Sequence, residues 1–291
     1  MNLVSPPDER LPWEDTFTDS VSYTPADLTY GDYLKVPELL SLQQLQSDPP
    51  HHDEMLFIII HQAYELWFKL VLHEMEKAIG LMQEHKVLRA HHFLRRVVAI
   101  FRLLVEQIHI LETMTAADFL QFRDRLRPAS GFQSLQFREV EFLAGLKDRR
   151  YLRPFADRPE AYQQLERRLS QPDLRATYYQ MLREMGFNVP EDVSLEHLAQ
   201  DEVARRQLID ALLIIYHDPH EQMRLYLLTE DLVSLDEWFG LWREHHVRVV
   251  SRIIGFRPGT GGSSGVHYLK TTTKKMLFPY LWQARTELKM E

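Results

Sequence analysis

The sequence predicts an all-α chain, a multi-helix bundle with long core helices and one flexible glycine-rich loop near the C-terminus. Three observations predict it. Glycine is scarce, 11 of 291 residues where average usage would give about 20, and long-chain residues of good helix propensity take its place. Apolar positions recur at spacings of three and four over long stretches, and no period-two alternation runs far enough to build a sheet. Five of the eleven glycines fall within 255–265, in GFRPGTGGSSG, which marks the one exceptional flexible segment.

The elements follow in order. Residues 1–27 read as a loosely ordered arm and 28–291 as a single helical domain. LTYGDYLKVPELLSLQQLQ gives a short helix punctuated by Pro37, and SDPPHHDE breaks the chain before a long helix over about 53–84. Asp53 and Glu54 suit its start, where unpaired N–H groups and the positive dipole end favour acidic side chains. Its first turns, MLFIIIHQAYELWFKLVL, are apolar nearly all round, as expected of a helix buried on several sides. A second long helix, over about 88–112, carries Phe93, Val97, Ile100, Leu104 and Ile108 on one face. Thr115 with Asp118 resembles a cap opening TAADFLQFRDRL; after the RPASG break comes FQSLQFREVEFLAGL. Residues 148–190 give two modest amphipathic helices and 195–216 another. The longest and last clear helix spans about 219–254, with Pro219 at a first-turn position.

Composition narrows the chemistry. With no cysteine, disulfides, zinc ribbons, thiolate haem ligation, Cys-ligated iron–sulfur clusters and a Cys nucleophile are excluded. A formal charge of −8 argues against a nucleic-acid partner, which needs clustered Lys and Arg. The purest apolar runs, MLFIII and ALLIIY, fall short of the roughly 20 residues that cross a bilayer, and the acidic, proline-containing N-terminus does not resemble a signal peptide. The expectation is a cytoplasmic enzyme or binding protein with no membrane partner.

Most of the 14 histidines lie near helix ends or among polar residues, where solvation is their ordinary state. HExxH is absent, and only Glu106 to His109 fits the ExxH turn that a di-iron bundle needs twice. His61 differs, sitting in the most apolar helix on a face with Phe57, Tyr64 and Phe68; a buried imidazole there needs a hydrogen-bond partner or a ligand. His245 and His246 are separated by helical geometry: His246 shares a face with Phe239, Trp242, Val249, Val250 and Ile253, His245 with Arg248 and Arg252. An inward His on an aromatic-rich helix suits a proximal haem ligand, and suits a core histidine equally well. Arg123, beside Phe122 and one turn after Phe119, either covers aromatics with its stem or holds a carboxylate in its fork. GTGGSSG is neither a Walker loop nor GxGxxG; it is a plain linker or a lid with Thr260 as a hydroxyl donor.

The strings HHDEMLFIIIHQAYELWFKL, FRDRLRPASGFQSLQFRE and LWREHHVRVVSRIIGFRPGTGGSSGVHYL, with LTYGDYL, resemble the tryptophan 2,3-dioxygenase family over nearly all of 28–282. The resemblance implies a helical protein carrying haem b, ferrous when active, that oxidises L-tryptophan with O2 to N-formyl-L-kynurenine and assembles as a homotetramer. It implies that His246 is the axial iron ligand, its second nitrogen donating to an acceptor. It further assigns Phe57 and His61 to the indole side, Arg123 to the substrate carboxylate, Thr260 to the substrate ammonium, and Leu126 and Ser130 to the distal haem pocket. Tyr30 and Tyr33 match tyrosines contributed by a neighbouring subunit. Phe119 stands where some relatives have Tyr, which removes a hydroxyl contact to the carboxylate. A non-catalytic helical scaffold and a non-haem di-iron oxygenase are the rival classes.

Overall fold

The computed structural model describes residues 27–262 and 264–289, and the expected arm of residues 1–27 lies almost wholly outside them. Two compact units divide the chain between Gln44 and Leu45. In the first, a left-handed Lys35 (φ 54°) splits the expected single helix into α1 (Tyr30–Leu34) and α2 (Val36–Leu39), with Pro37 in the opening turn of α2. Thr29 caps α1 by accepting from the Asp32 N–H at 3.1 Å.

The second unit is helical throughout its described residues, with no strand among them. α3 (His52–Gln83) and α4 (Val87–Leu111) are joined by a three-residue connection, 84–86, so they run antiparallel, and α11 (Met223–Ile254) packs along α4. Val71, Met75 and Met82 of α3, Val97, Phe101 and Leu104 of α4, and Leu228, Leu232 and Phe239 of α11 are sealed from solvent. Against this layer lie α5 (Ala116–Arg123), α6 (Leu135–Leu143), α7 (Pro159–Ser170) and α8 (Leu174–Glu184), then α9 (Leu195–Gln200) and α10 (Glu202–His217). After the glycine-rich loop come α12 (Val266–Thr272) and α13 (Pro279–Glu287).

Buried side chains set several boundaries. Glu54 in the first turn of α3 reaches back to the Gln46 N–H at 2.7 Å and the Ser47 N–H at 3.0 Å, tying down the prolyl segment before the helix. Thr115 caps α5 through the Asp118 N–H. Asp236, buried in mid α11, accepts from the Leu277 and Phe278 N–H groups and the Trp282 indole N–H at 2.7–2.9 Å, so α11 holds the start of α13. α12 and α13 go beyond the sequence expectation, which ended at α11. The expected 195–216 helix is two, broken at Asp201, whose side chain caps α10 through the Ala204 N–H. Pro219 lies before α11, which starts at Met223, because Asp218 turns the chain by accepting from the Glu221 N–H.

Three further expectations are corrected. His91, expected to be solvated, is largely buried between α4 and α11 with Nδ1 2.5 Å from Asp231. α3 is long and apolar enough, by length and composition, to cross a membrane, with an 18-residue window of mean hydropathy 1.4; contiguous apolar runs understate it because single polar residues interrupt it. Nor is its apolar N-terminal half buried on every side. Met55, Ile59 and Leu66, on one stripe, are 38%, 48% and 54% exposed, whereas Ile60, Tyr64 and Phe68 are buried.

Candidate active site

α3, α5, α6, α11, the glycine-rich loop and α12 converge on a cavity of about 270 Å³. α3 presents Phe57, His61, Tyr64 and Phe68 to it, at the i, i+4, i+7, i+11 positions of one helical face. The Phe57 and His61 rings lie 4.1 Å apart, and His61 Nδ1 is 2.7 Å from the Phe57 carbonyl. A carbonyl only accepts, so Nδ1 carries the proton and Nε2 is left with its lone pair. His61 has open surface, and that surface faces the cavity; burial, offset in part by the Phe57 carbonyl and Glu65, holds the ring below the usual histidine range.

α11 brings Trp242, His246, Val249, Val250 and Ile253 to the wall. His246 stacks on Trp242 at 5.3 Å and 20°. Burial, then the His61 and Arg138 charges, push its pKa down to about 4, so it is a neutral imidazole at physiological pH. Neither of its nitrogens has a hydrogen-bond partner among the described residues, contrary to the expected acceptor; stacking orients the ring instead. His245 turns away from the cavity, edge-on to His109 at 5.2 Å. His109 in turn is 3.0 Å from Glu112, and no group of three His, Asp or Glu among the described residues is placed to hold a metal ion.

α5 supplies Phe119, 5.5 Å from Phe57, and Arg123, which is 6% exposed. Arg123 Nη2 donates to the Pro258 carbonyl at 2.5 Å, while its Nε is buried without a partner. The loop is docked by a second bond, from the Thr260 hydroxyl to the Ala129 carbonyl at 2.5 Å. A Cβ on Gly261 would lie 2.7 Å from Ser130 Cβ, so the close approach of loop and Ser130 requires glycine there.

A sequence profile of tryptophan 2,3-dioxygenase matches residues 18–197 and 191–288. The chain is 46% identical over 268 residues to tryptophan 2,3-dioxygenase of Nocardioides sp., covering 90% of this chain and 96% of that one. Identity is 45% to the Caulobacter vibrioides enzyme of that name (90% and 99% covered) and 43% to that of Myxococcus xanthus (89% of each). The chain belongs to the tryptophan 2,3-dioxygenase family.

Of the residues expected from sequence, the fold brings Phe57, His61, Phe119, Arg123, Ser130, His246 and Thr260 onto one cavity. Leu126 is not on its wall; it packs, half-buried, against the core. Tyr30 and Tyr33 belong to the first unit, where they are 78% and 72% exposed. Sequence reasoning missed a charged part of the wall in this family member: Arg138, Glu141 and Arg243, with Tyr268. The Arg138 and Glu141 spacing of i, i+3 was visible, but an ordinary surface pair has the same spacing.

Proposed function

We propose that this chain is a haem-dependent dioxygenase that opens the indole 2,3 bond of L-tryptophan with O2, giving N-formyl-L-kynurenine. Family membership carries the reaction; the cavity supports the residue roles. The donor set fits haem. One neutral imidazole, His246, opens onto a largely apolar space without a hydrogen-bond partner, and no carboxylate or second histidine joins it in a bare-metal site among the described residues. A porphyrin brings its own nitrogen ligands, so a single protein donor would suffice. Ferrous haem b, when bound, supplies the O2 chemistry, and both oxygen atoms enter the product.

The chain's own residues bind and orient. His246 would hold the haem iron, and Trp242, stacked on it, fixes the imidazole plane. Arg123, on the cavity wall, takes the substrate carboxylate, which replaces the neutral Pro258 carbonyl as the better acceptor. Thr260, whose proton is held by Ala129, offers its oxygen lone pairs to the substrate ammonium. Phe57 and Phe119 pack the indole, and His61 Nε2 accepts from the indole N–H, holding the ring at one angle. Phe119 gives the carboxylate no hydroxyl, leaving more of its binding to Arg123. Ser130, on the cavity wall, shapes the distal haem pocket.

The assembly is a homotetramer in the cytoplasm, with Tyr30 and Tyr33 reaching a neighbour's pocket. Support comes from apolar surface unusual for an isolated chain: the Met55, Ile59, Leu66 stripe, and Leu28, Tyr30, Tyr33 and Leu40, each at least 70% exposed in the first unit. The outer stripe of α3 is covered by another copy rather than by lipid. One experiment tests the whole reading: the purified ferrous protein shows a Soret band and converts L-tryptophan and O2 to N-formylkynurenine in equal amounts. A colourless, inactive protein after haem supplementation would sink it.

A further inference from the structure

The same cavity holds a second cation that substrate binding does not use. Arg138, on α6, is 5% exposed, and its guanidinium carbon lies 4.3 Å from the centre of the Tyr151 ring, 5.0 Å from that of Phe132 and 5.4 Å from that of Phe137. Its Nη1 is held by Glu141, while Nε and Nη2 make no hydrogen bond among the described residues, and Arg138 lines the cavity.

The surroundings leave this edge electrically unsatisfied. The second oxygen of Glu141 is taken by Arg243 Nη2 at 2.5 Å, and Arg243 Nη1 is spent on the Thr272 and Lys275 carbonyls at 3.2 and 3.0 Å. Lys275 Nζ donates at 2.9 Å to the Tyr151 hydroxyl, which also accepts from Tyr268 at 3.0 Å. Arg138 and Arg243 therefore share one carboxylate, with Lys275 on the tyrosine beside them. Asp148 is neutralised by Arg150 at 2.8 Å, and Glu65, the other carboxylate on the wall, is turned to Gln136 at 2.8 Å. A buried excess of positive charge is unfavourable unless an anion meets it.

We propose that the open edge of Arg138 is a carboxylate receptor for the two acidic side chains of the porphyrin, leaving Arg123 to the amino-acid substrate. This rests on the haem reading. The sign of the charge matches, since propionates are anions, and a planar fork stacked between aromatics is preorganised for a carboxylate.

The test loads the full-length chain with haem or with haem dimethyl ester, which has the same iron and ring but no carboxylates. Release to an excess of a haem-scavenging globin is followed by the Soret band. Wild type is expected to release the ester at least tenfold faster than haem, and Arg138→Gln to release both at nearly one rate. Equal release of both by wild type overturns the proposal, as does a folded Arg138→Gln with the ratio intact. A raised KM with the ratio intact would instead give the edge to substrate, and also overturns it. If Arg138→Gln does not fold, Arg138→Lys decides: a ratio reduced at least threefold supports the receptor, an unchanged ratio refutes it. Failure of wild type to take up either compound marks a failure of the haem reading itself.

Discussion

Two imidazoles on one cavity differ in what holds them. His61 is fixed by a hydrogen bond to its own helix and His246 by stacking on Trp242, with no hydrogen-bond partner on either His246 nitrogen among the described residues, which suits its proposed role toward iron. His246→Ala is therefore expected to lose the Soret band, and His245→Ala to keep it; the reverse result would refute the face assignment. Arg123→Lys is expected to raise KM for tryptophan, with the loss approaching the roughly 2–5 kcal/mol of a broken buried charge pair, because a point charge cannot reproduce the fork. KM against kcat for tryptophan and tryptamine checks this, since tryptamine lacks the carboxylate. His61 also has a stability signature. Burial lowers its pKa, so between its folded value and the unfolded value near 6.5 the native state binds fewer protons than the unfolded chain. The stability that neutral His61 permits is present above about 6.5 and lost as pH falls below it. His61→Leu is expected to gain on wild type in urea midpoint between pH 7 and pH 5. Comparing the two proteins cancels other titrations, such as that of Asp231, raised by burial to about 6. A constant gap would contradict the assignment.

Among the elements, the glycine-rich loop has the sharpest steric demand. It is pinned by Arg123 to Pro258 and by Thr260 to Ala129, and Gly261 passes against Ser130 where a Cβ would come to 2.7 Å. Gly261→Ala is expected to hold the loop off the cavity and raise KM severalfold, while haem content and the Soret position stay as in wild type. Unchanged KM would show that the loop docks without this contact. α3 has a different economy: one face makes the pocket, another makes core, and a third is left apolar at the surface.

That third face has its consequence in the whole molecule. In the proposed tetramer, burying Leu66 and Ile59 between copies would contribute on the order of 1.5–3 kcal/mol for each side chain, repeated at every symmetric contact. Ile59→Asp with Leu66→Asp is expected to lower the assembly to smaller species in light scattering, with helicity in far-ultraviolet dichroism preserved. An intact tetramer from the double variant would place the interface elsewhere.

Much was legible in the residues alone. Scarce glycine and three-four periodicity determined the helical class. The 100° step per residue separated His246 from His245, and the long motif strings were enough to name the family and to pick out Phe57, His61, Arg123 and His246, which the fold brings onto one cavity. These are local properties, written into neighbours along one helix. The tertiary structure decided what local periodicity leaves open: that helices separated by a hundred residues share one cavity, that α12 and α13 form once Asp236 captures their connection, and that α11 begins at Met223 rather than at the proline before it. It also decided the fate of Arg138. The sequence shows an Arg and a Glu three residues apart, whether at a surface or in a core; only the arrival of Arg243 from α11 at the same Glu141 leaves half of that guanidinium, on the cavity wall, without a hydrogen-bond partner among the described residues.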